Sequence, residues 1–334
     1  MLRIAHLIDD QPVEGLDRSL AFLAGAPALS DLARHELHRV SLSRPLATRI
    51  EADVIVSHLA LTWRGMPGLM ALRARHAAPA FLHVEHHYSE RWQALNVPAS
   101  ARFHALLRGA YMLFDQVIAT STAQAEWMTR AGLTGSSAPR VIAPVSDLAD
   151  LRALPAPRGP LRRFAAIGRF DRQSGFDILV RAFRDLPGAT LHLSLQGTGP
   201  DLPQLRELSA GDPRISFSAP AATPLAALSH CDALLMPSRW QPSALLATEA
   251  RAARRPVIVS SADGLADHLT QGAILVPELS AHRWTATLRQ LVEGEAPRAG
   301  EGLRAEDQAS LAAWRQLLSD LRPGDCALHL ATGN

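Results

Sequence analysis

Short apolar runs of strand type alternate with segments whose apolar residues recur at helical spacing, and this rhythm continues through nearly all 334 residues. It predicts parallel sheets, because a strand can return beside its predecessor in the same direction only through a crossover, and a helix supplies one. The runs are continuously apolar rather than alternating, as expected of strands buried on both faces. In the first half, strands are expected over Leu2–Ile8, 37–42, 53–57, 79–84 and 116–120, with helices over 16–24, 64–76, 99–112 and 121–131. Asp147–Pro160 carries Pro155, Pro157, Gly159 and Pro160 and breaks the pattern, which reads as an interdomain linker. A second series follows, with strands at 164–168, 190–195, 214–218, 233–236, 257–259 and 273–276. Its helices fall at about 175–186, 200–208, 223–230, 243–253 and 263–270.

The chain is therefore expected to be α/β, with two doubly wound Rossmann-like domains, 1–155 and 156–305. A last helix at about 306–322 carries Leu311, Trp314, Leu317, Leu318 and Leu321 on one face. The spacer Glu293–Gly302 is long enough to let that helix pack back on the first domain, and the tail Cys326–Asn334 is expected to be loosely held.

Composition narrows the function classes. With 47% hydrophobic and 20% charged residues the chain is of ordinary globular type, and no apolar run is long enough to span a bilayer. A net charge of +2 argues against nucleic acid as partner. Every one of the 34 basic residues is Arg, so a single Arg carries little meaning by itself. Cys231 and Cys326 suggest neither a disulfide framework nor a zinc site. A cytoplasmic protein is expected, touching the inner face of the membrane peripherally if at all. Arg158, Arg162 and Arg163 read as a solvated linker rather than a lipid patch, and Trp92, Trp127 and Trp314 as core or interface anchors.

Three loops at strand ends could carry chemistry. Ser238–Pro256 reads as strand, sharp loop and alanine-rich helix, with Gln241 in the loop and Glu249 in the helix. Loops after parallel strands and the N–H groups opening the next helix are where phosphates bind, although an ordinary crossover would look the same. Arg169 closes the strand ending at Gly168, and Gly197-Thr198-Gly199-Pro200 follows the next strand. The latter lacks the third glycine of a dinucleotide fingerprint and could be a plain turn.

Together these segments resemble family-4 retaining glycosyltransferases of the GT-B fold, within the group 1 glycosyltransferases. The resemblance rests on Ile167–Asp177, Gly197–Pro200, Ala233–Ala250 with Gln241 and Glu249 eight positions apart, Gly264–Asp267 and Ile274–Pro277, in that order. It covers about 160–280. A looser N-terminal likeness runs through the Gly15 loop with Arg18, His83–Tyr88 and Val117–Ser121.

The resemblance implies two domains facing a central cleft and transfer of a sugar, with retention, from a nucleoside-diphosphate sugar to a glycan or lipid-linked acceptor. The setting would be cell-surface polysaccharide or glycoconjugate synthesis, with no metal or other cofactor. By residue, it implies that Arg169 meets the diphosphate and Gln241 the transferred sugar. The N–H groups of Ala244 and Leu245 would bind phosphate, Glu249 would bind the ribose, and His86, or next His87, would lie beside sugar and acceptor. Gly15, Arg172, Gly197, Gly199 and Ser243 complete the implied binding set.

The chain departs from the family pattern at several points. Gln241 stands where Glu is usual and Ser174 where Lys is usual. Ser243-Ala244 replaces Phe-Gly, and Glu14-Gly15 replaces paired glycines. Arg172 is the candidate to replace the missing cation. These departures motivate an alternative, a non-catalytic nucleotide- or glycan-binding protein of the same fold. Hydrolysis or epimerisation of a nucleotide sugar is a weaker third reading.

Overall fold

The computed structural model describes residues 1–9, 13, 15–42, 50–294 and 306–321. It contains two compact units, the first formed by residues up to Ser146 together with the last helix, and the second beginning at Asp147.

The first unit contains β1 (Leu2–Ile8), α1 (Leu16–Gly25), β2 (Ala33–Arg39), β3 (Val54–Ser57), α2 (Met66–Arg75) and β4 (Ala80–Glu85). It continues with α3 (Glu90–Asn96), α4 (Ser100–Tyr111), β5 (Gln116–Ala119), α5 (Thr122–Arg130) and β6 (Arg140–Val141). The strands form a six-stranded sheet in the order β2-β1-β3-β4-β5-β6, each pair parallel. Consecutive side chains of β1 go to opposite cores. Ala5 and Leu7 join Phe81, Leu107 and Trp127 on one face, while Ile4 and Ile8 join Leu20, Leu23, Trp314 and Leu318 on the other.

The second unit contains α6 (Ala149–Ala153), β7 (Arg163–Ile167), α7 (Phe176–Arg184), β8 (His192–Gln196), α8 (Leu202–Ser209), β9 (Ile215–Ser218) and α9 (Pro224–Ser229). After these come β10 (Ala233–Met236), α10 (Leu245–Ala252), β11 (Val257–Ser260), a 3-10 segment Asp263–Gln271, β12 (Ile274–Val276) and α11 (Ala281–Glu293). Its sheet runs β12-β11-β10-β7-β8-β9, again all parallel. α7 and α11 cover one face, where Leu179, Phe183, Trp284 and Leu288 meet in a single cluster and Thr285 Oγ1 donates to the Ala182 carbonyl at 2.9 Å.

The last helix, α12 (Glu306–Asp320), belongs to the first unit. Trp314, Leu317 and Leu318 are buried with α1 residues, and Arg140 Nη2 meets Asp320 Oδ2 at 2.5 Å.

Three details differ from the sequence reading. β2 begins four residues earlier than 37 because pairing with β1, Leu2 opposite Ala33, decides this edge strand, whereas the apolar cue lay at Leu37, Val40 and Leu42. The units divide between Ser146 and Asp147 rather than at 155/156, because Leu148 and Leu151 are buried against Ala247, Ala250 and Ala253 of the second unit. The short elements α3, β6 and α6 carry too few periodic residues to stand out. Glu14, the spacer from Glu295 onward and the tail Cys326–Asn334 lie outside the described residues. Among the described residues, no helix is long and apolar enough to cross a membrane.

Candidate functional site

In the second sheet the chain first builds outward from β7 through β8 to β9, then returns to lay β10 on the other side of β7. The loops after β7 and β10 therefore diverge, and an open parallel sheet is open to a ligand at just such a switch point. The loops of the second unit that the sequence singles out follow β7, β8 and β10 at that edge.

The loops are locked by backbone. Phe170 N donates to Thr198 O at 2.8 Å and Asp201 N to Phe170 O at 2.9 Å, joining the β7 and β8 loops. A Cβ on Gly197 would overlap the carbonyl oxygen of Gly168, and one on Gly199 would overlap that of Phe170. Both glycines are therefore required by the close approach of the two loops. The β10 loop is fixed on both sides. Arg239 N donates to Gln173 O at 2.8 Å, Ser260 Oγ to Ser238 O at 2.6 Å, and Gly264 N to Gln241 O at 2.9 Å.

On this frame Arg169 is exposed, with Nε 3.2 Å from Asp171 Oδ2. Asp171 Oδ1 also accepts from the N–H groups of Gln173 and Ser174 at 3.0 and 3.3 Å, an Asx turn that sets the loop. Arg172 lies over the Trp240 ring, 5.9 Å from its centre, a cation–π contact that keeps its charge at the edge. The Gln241 side chain bridges the loops: Oε1 accepts from Gln173 Nε2 at 3.4 Å and Nε2 donates to Ser243 O at 2.6 Å.

Ala244 is the N-cap of α10 and Gly175 that of α7, and neither helix has a side-chain cap. Their first N–H groups thus keep the partial positive charge of a helix start. Glu249 lies in α10, fully buried. Arg251, at the far end of α10, is buried against Gln271 and His268, and Arg255 donates to the carbonyls of Leu228 and Pro155.

Two residues at this edge were missed by sequence reasoning. Arg239 places Nη1 and Nη2 2.8 and 2.9 Å from the two oxygens of Asp177 and also holds Arg172 O at 2.9 Å. Asp263, with φ of 33°, accepts from Gln241 N at 3.1 Å. In a chain whose only strong cation is Arg, neither residue type stands out without the fold. Arg163 pairs with Asp232 at 2.8 Å, at the opposite end of β7, and so has a structural partner.

In the first unit, Gly15 is the left-handed N-cap of α1, φ 79°, and no side chain caps that helix. His86 and His87 follow β4. A surface pairing of His86 with Glu85 or Glu90 does not occur: Glu90 meets Arg130 at 2.6 Å, and His86 Nε2 lies 2.9 Å from His58 Nδ1. Glu85 is a buried hub instead. Its Oε1 accepts from the N–H groups of His87 and Tyr88 at 2.7 and 3.0 Å, and its Oε2 accepts from Tyr111 Oη at 2.8 Å with His83 Nε2 3.3 Å away. Burial alone would raise its pKa, but the hydrogen bond and charge of His83, with further help from His87, bring it to about 2. Burial pushes His86 down to about 3 and lowers His87. Trp127 is buried, and Trp92 packs on Tyr88 and Phe103.

Comparison with known proteins bears on the second unit most directly. Residues 162–294 match the family of glycosyl transferases group 1. A D-inositol 3-phosphate glycosyltransferase from Corynebacterium aurimucosum is 27% identical over 172 residues, 47% of this chain and 41% of that protein's length. Among solved structures, sucrose-phosphate synthase from Thermosynechococcus elongatus has a TM-score of 0.72 at 20% identity, covering 96% of this chain and 99% of its own. HepE of Anabaena, in complex with UDP and glucose, has a TM-score of 0.68 at 16% identity over 96% and 99% of the two chains. WaaG, a glycosyltransferase involved in lipopolysaccharide biosynthesis, has a TM-score of 0.68 at 14% identity over 96% and 100%. The chain has the fold of these structures, two parallel-sheet Rossmann-like units of the GT-B type.

Proposed function

We propose that this protein is a glycosyltransferase that moves a sugar from a nucleoside-diphosphate sugar to a glycan or lipid-linked acceptor, with retention, in the making of a cell-surface polysaccharide or glycoconjugate. The observation that carries the reading is the interlocked set of loops at the β7/β10 switch point, inside the segment that matches group 1 glycosyl transferases. Cations and helix starts collect at one sheet edge, where a diphosphate would be met by charge and by N–H groups.

In this reading Arg169, with Arg172 beside it, compensates the charge that grows on the departing diphosphate. The N–H groups of Ala244 and Leu245 hold a phosphate, and Glu249 accepts hydrogen bonds from the ribose hydroxyls. Gln241 and Ser243 line the sugar, Gly197 and Gly199 let the backbone come close, and Gly15 with His86 and His87 serves the acceptor side. The positive charge comes from the protein itself, so the reaction requires no metal ion or other cofactor. The work is cytoplasmic, with any contact at the inner membrane face peripheral.

The test is release of nucleoside diphosphate from a panel of nucleotide sugars across a broad set of acceptors. UDP-glucose comes first, because the HepE structure holds UDP and glucose. Turnover with one donor is the expected result; binding without turnover under every condition would leave only the non-catalytic alternative standing.

A further inference from the structure

His86 stands at the end of a row of four imidazoles that crosses the first sheet. His35 lies on β2, His6 on β1, His58 directly after β3 and His86 directly after β4, following the sheet order β2-β1-β3-β4. His35 Nδ1 lies 2.9 Å from His6 Nε2, His6 Nδ1 is 2.9 Å from His58 Nε2, and His58 Nδ1 is 2.9 Å from His86 Nε2. Ring centres are 5.1 to 5.2 Å apart, and neighbouring planes differ by 12 to 29°. That spacing is one such contact plus two ring radii, so the rings sit edge to edge and each N–H can point straight at the next nitrogen.

The two ends of the row differ. At the β2 end, His35 Nε2 is buried and has no partner among the described residues. At the other end His86 is half-buried, and its Nδ1 has no partner among the described residues. Burial, then neighbouring imidazoles, holds His6 and His86 at about 3 and His58 well below 6.5, and burial lowers His35, so the four rings are neutral at pH 7. Each neutral ring has one N–H, and each of the three contacts needs one. Two registers satisfy all three. With every proton on Nε2, the surplus N–H falls on His35 Nε2, where it is buried without an acceptor. With every proton on Nδ1, the surplus N–H falls on His86 Nδ1, and His35 Nε2 keeps a bare lone pair.

The surroundings favour the second register. Orphaned buried N–H groups are rarer in proteins than under-satisfied acceptors. The carboxylate of Glu85, the residue before His86, is buried and ionised, and its charge acts on the His86 ring. Aligned N–H groups polarise one another, which gives the row a positive end, and a negative charge beside His86 draws that end to His86 Nδ1. Because His35 Nε2 is shut off from water, the register does not reverse by losing a proton there.

We propose that the row fixes His86 as a neutral hydrogen-bond donor at Nδ1, so that the group it meets is an oxygen lone pair of the substrate, on a hydroxyl or a carboxylate. His86 then holds and orients that oxygen and takes no proton from it. His35, His6 and His58 act through His86 and are positioning residues. That the oxygen belongs to a sugar or its acceptor rests on the transferase reading above; the tautomer does not.

The test is nitrogen NMR of the whole protein labelled with 15N-histidine at pH 7.5, with no ligand added. The lock predicts that all four rings are neutral and protonated at Nδ1, with couplings across the three N–H···N contacts in which Nδ1 is the donor each time. Rings protonated at Nε2, an average of the two forms, or a cationic ring would overturn it, whether or not the protein turns over a nucleotide sugar. The substrate side has its own readout. With a donor and acceptor that turn over, His86→Asn offers an N–H where Nδ1–H stood, and His86→Asp offers an oxygen there. The Asn variant should exceed the Asp variant by about tenfold or more in kcat/KM for the acceptor, the effect of facing a lone pair with a lone pair. Equal values, or a faster Asp variant as a base would give, would overturn the donor role.

Discussion

Arg239 holds both carboxylate oxygens of Asp177, at 2.8 and 2.9 Å, and so ties the loop after β10 to the first turn of α7. The contact crosses the β7/β10 switch point and is largely shielded from water. Burial would raise the Asp177 pKa, but the hydrogen bonds and charge of Arg239, then of Arg181, keep it below its usual value.

Replacing Arg239 should therefore loosen the whole edge. Arg239→Ala is expected to cost about 1–3 kcal/mol, the worth of a charged hydrogen-bonded pair left with one partner. The measure is the denaturant midpoint, together with nucleotide affinity, which should fall in parallel. An unchanged midpoint would mean that the loops are held by their backbone contacts alone.

The two glycines after β8 test those backbone contacts. Gly197→Ala and Gly199→Ala each force a Cβ into a carbonyl oxygen of the β7 loop, and each is expected to cost about 3 kcal/mol or more through overpacking and backbone strain. Gly25→Ala is the control. Nothing lies within 4 Å of a Cβ there, and as the last residue of α1 it should gain a few tenths to about 1 kcal/mol of helix propensity. Thermal or urea unfolding of the three variants separates the cases.

Gln241 is more than a weakened Glu. Its amide nitrogen donates to Ser243 O at 2.6 Å, a bond that a carboxylate cannot make and would oppose. Gln241→Glu is therefore expected to destabilise the loop by about 1–3 kcal/mol and to leave turnover no higher. A rise in turnover with no loss of stability would instead mark Gln241 as the lesion that the departure from the family pattern suggests.

The buried imidazoles make stability sensitive to acid. His6 and His58 are 1% and 3% exposed, and burial first, then neighbouring rings, hold His6 at about 3 and His58 well below 6.5. Their pKa values are lower in the folded than in the unfolded chain. Stability is thus complete above about 6.5 and is lost as pH falls, because the unfolded chain takes up protons the folded one refuses. Two such groups give a slope of about 3 kcal/mol per pH unit below 6. Urea titrations between pH 7.5 and 5 measure it; a flat profile would mean that the row accepts charge readily.

Much of this architecture was legible in the sequence because parallel strands buried on both faces are continuous apolar runs, as Val54–Ser57 and Ala233–Met236 are. The loops of the second unit were legible because glycines and prolines mark where they turn. β2 was misplaced because an edge strand such as Arg34–Arg39 carries polar residues and is fixed by its partner β1 rather than by its own pattern. The Arg239–Asp177 pair joins residues 62 positions apart, and the histidine row joins residues spread from position 6 to 86. Such contacts depend on strand order, which local sequence does not encode. His86 was singled out for its loop, but its partner His58 became visible only when β3 and β4 were known to be neighbours.

The central claim is that the β7/β10 edge of the second unit holds a nucleoside diphosphate. It is tested most directly by calorimetric titration of UDP, GDP and ADP into the whole protein and its Arg169→Ala and Glu249→Ala variants. The account predicts that one nucleotide binds the unsubstituted protein, that Arg169→Ala weakens it by about tenfold or more, as loss of a charged hydrogen bond would, and that Glu249→Ala abolishes it. Binding of none of the three, or binding that both variants retain at full strength, would contradict it.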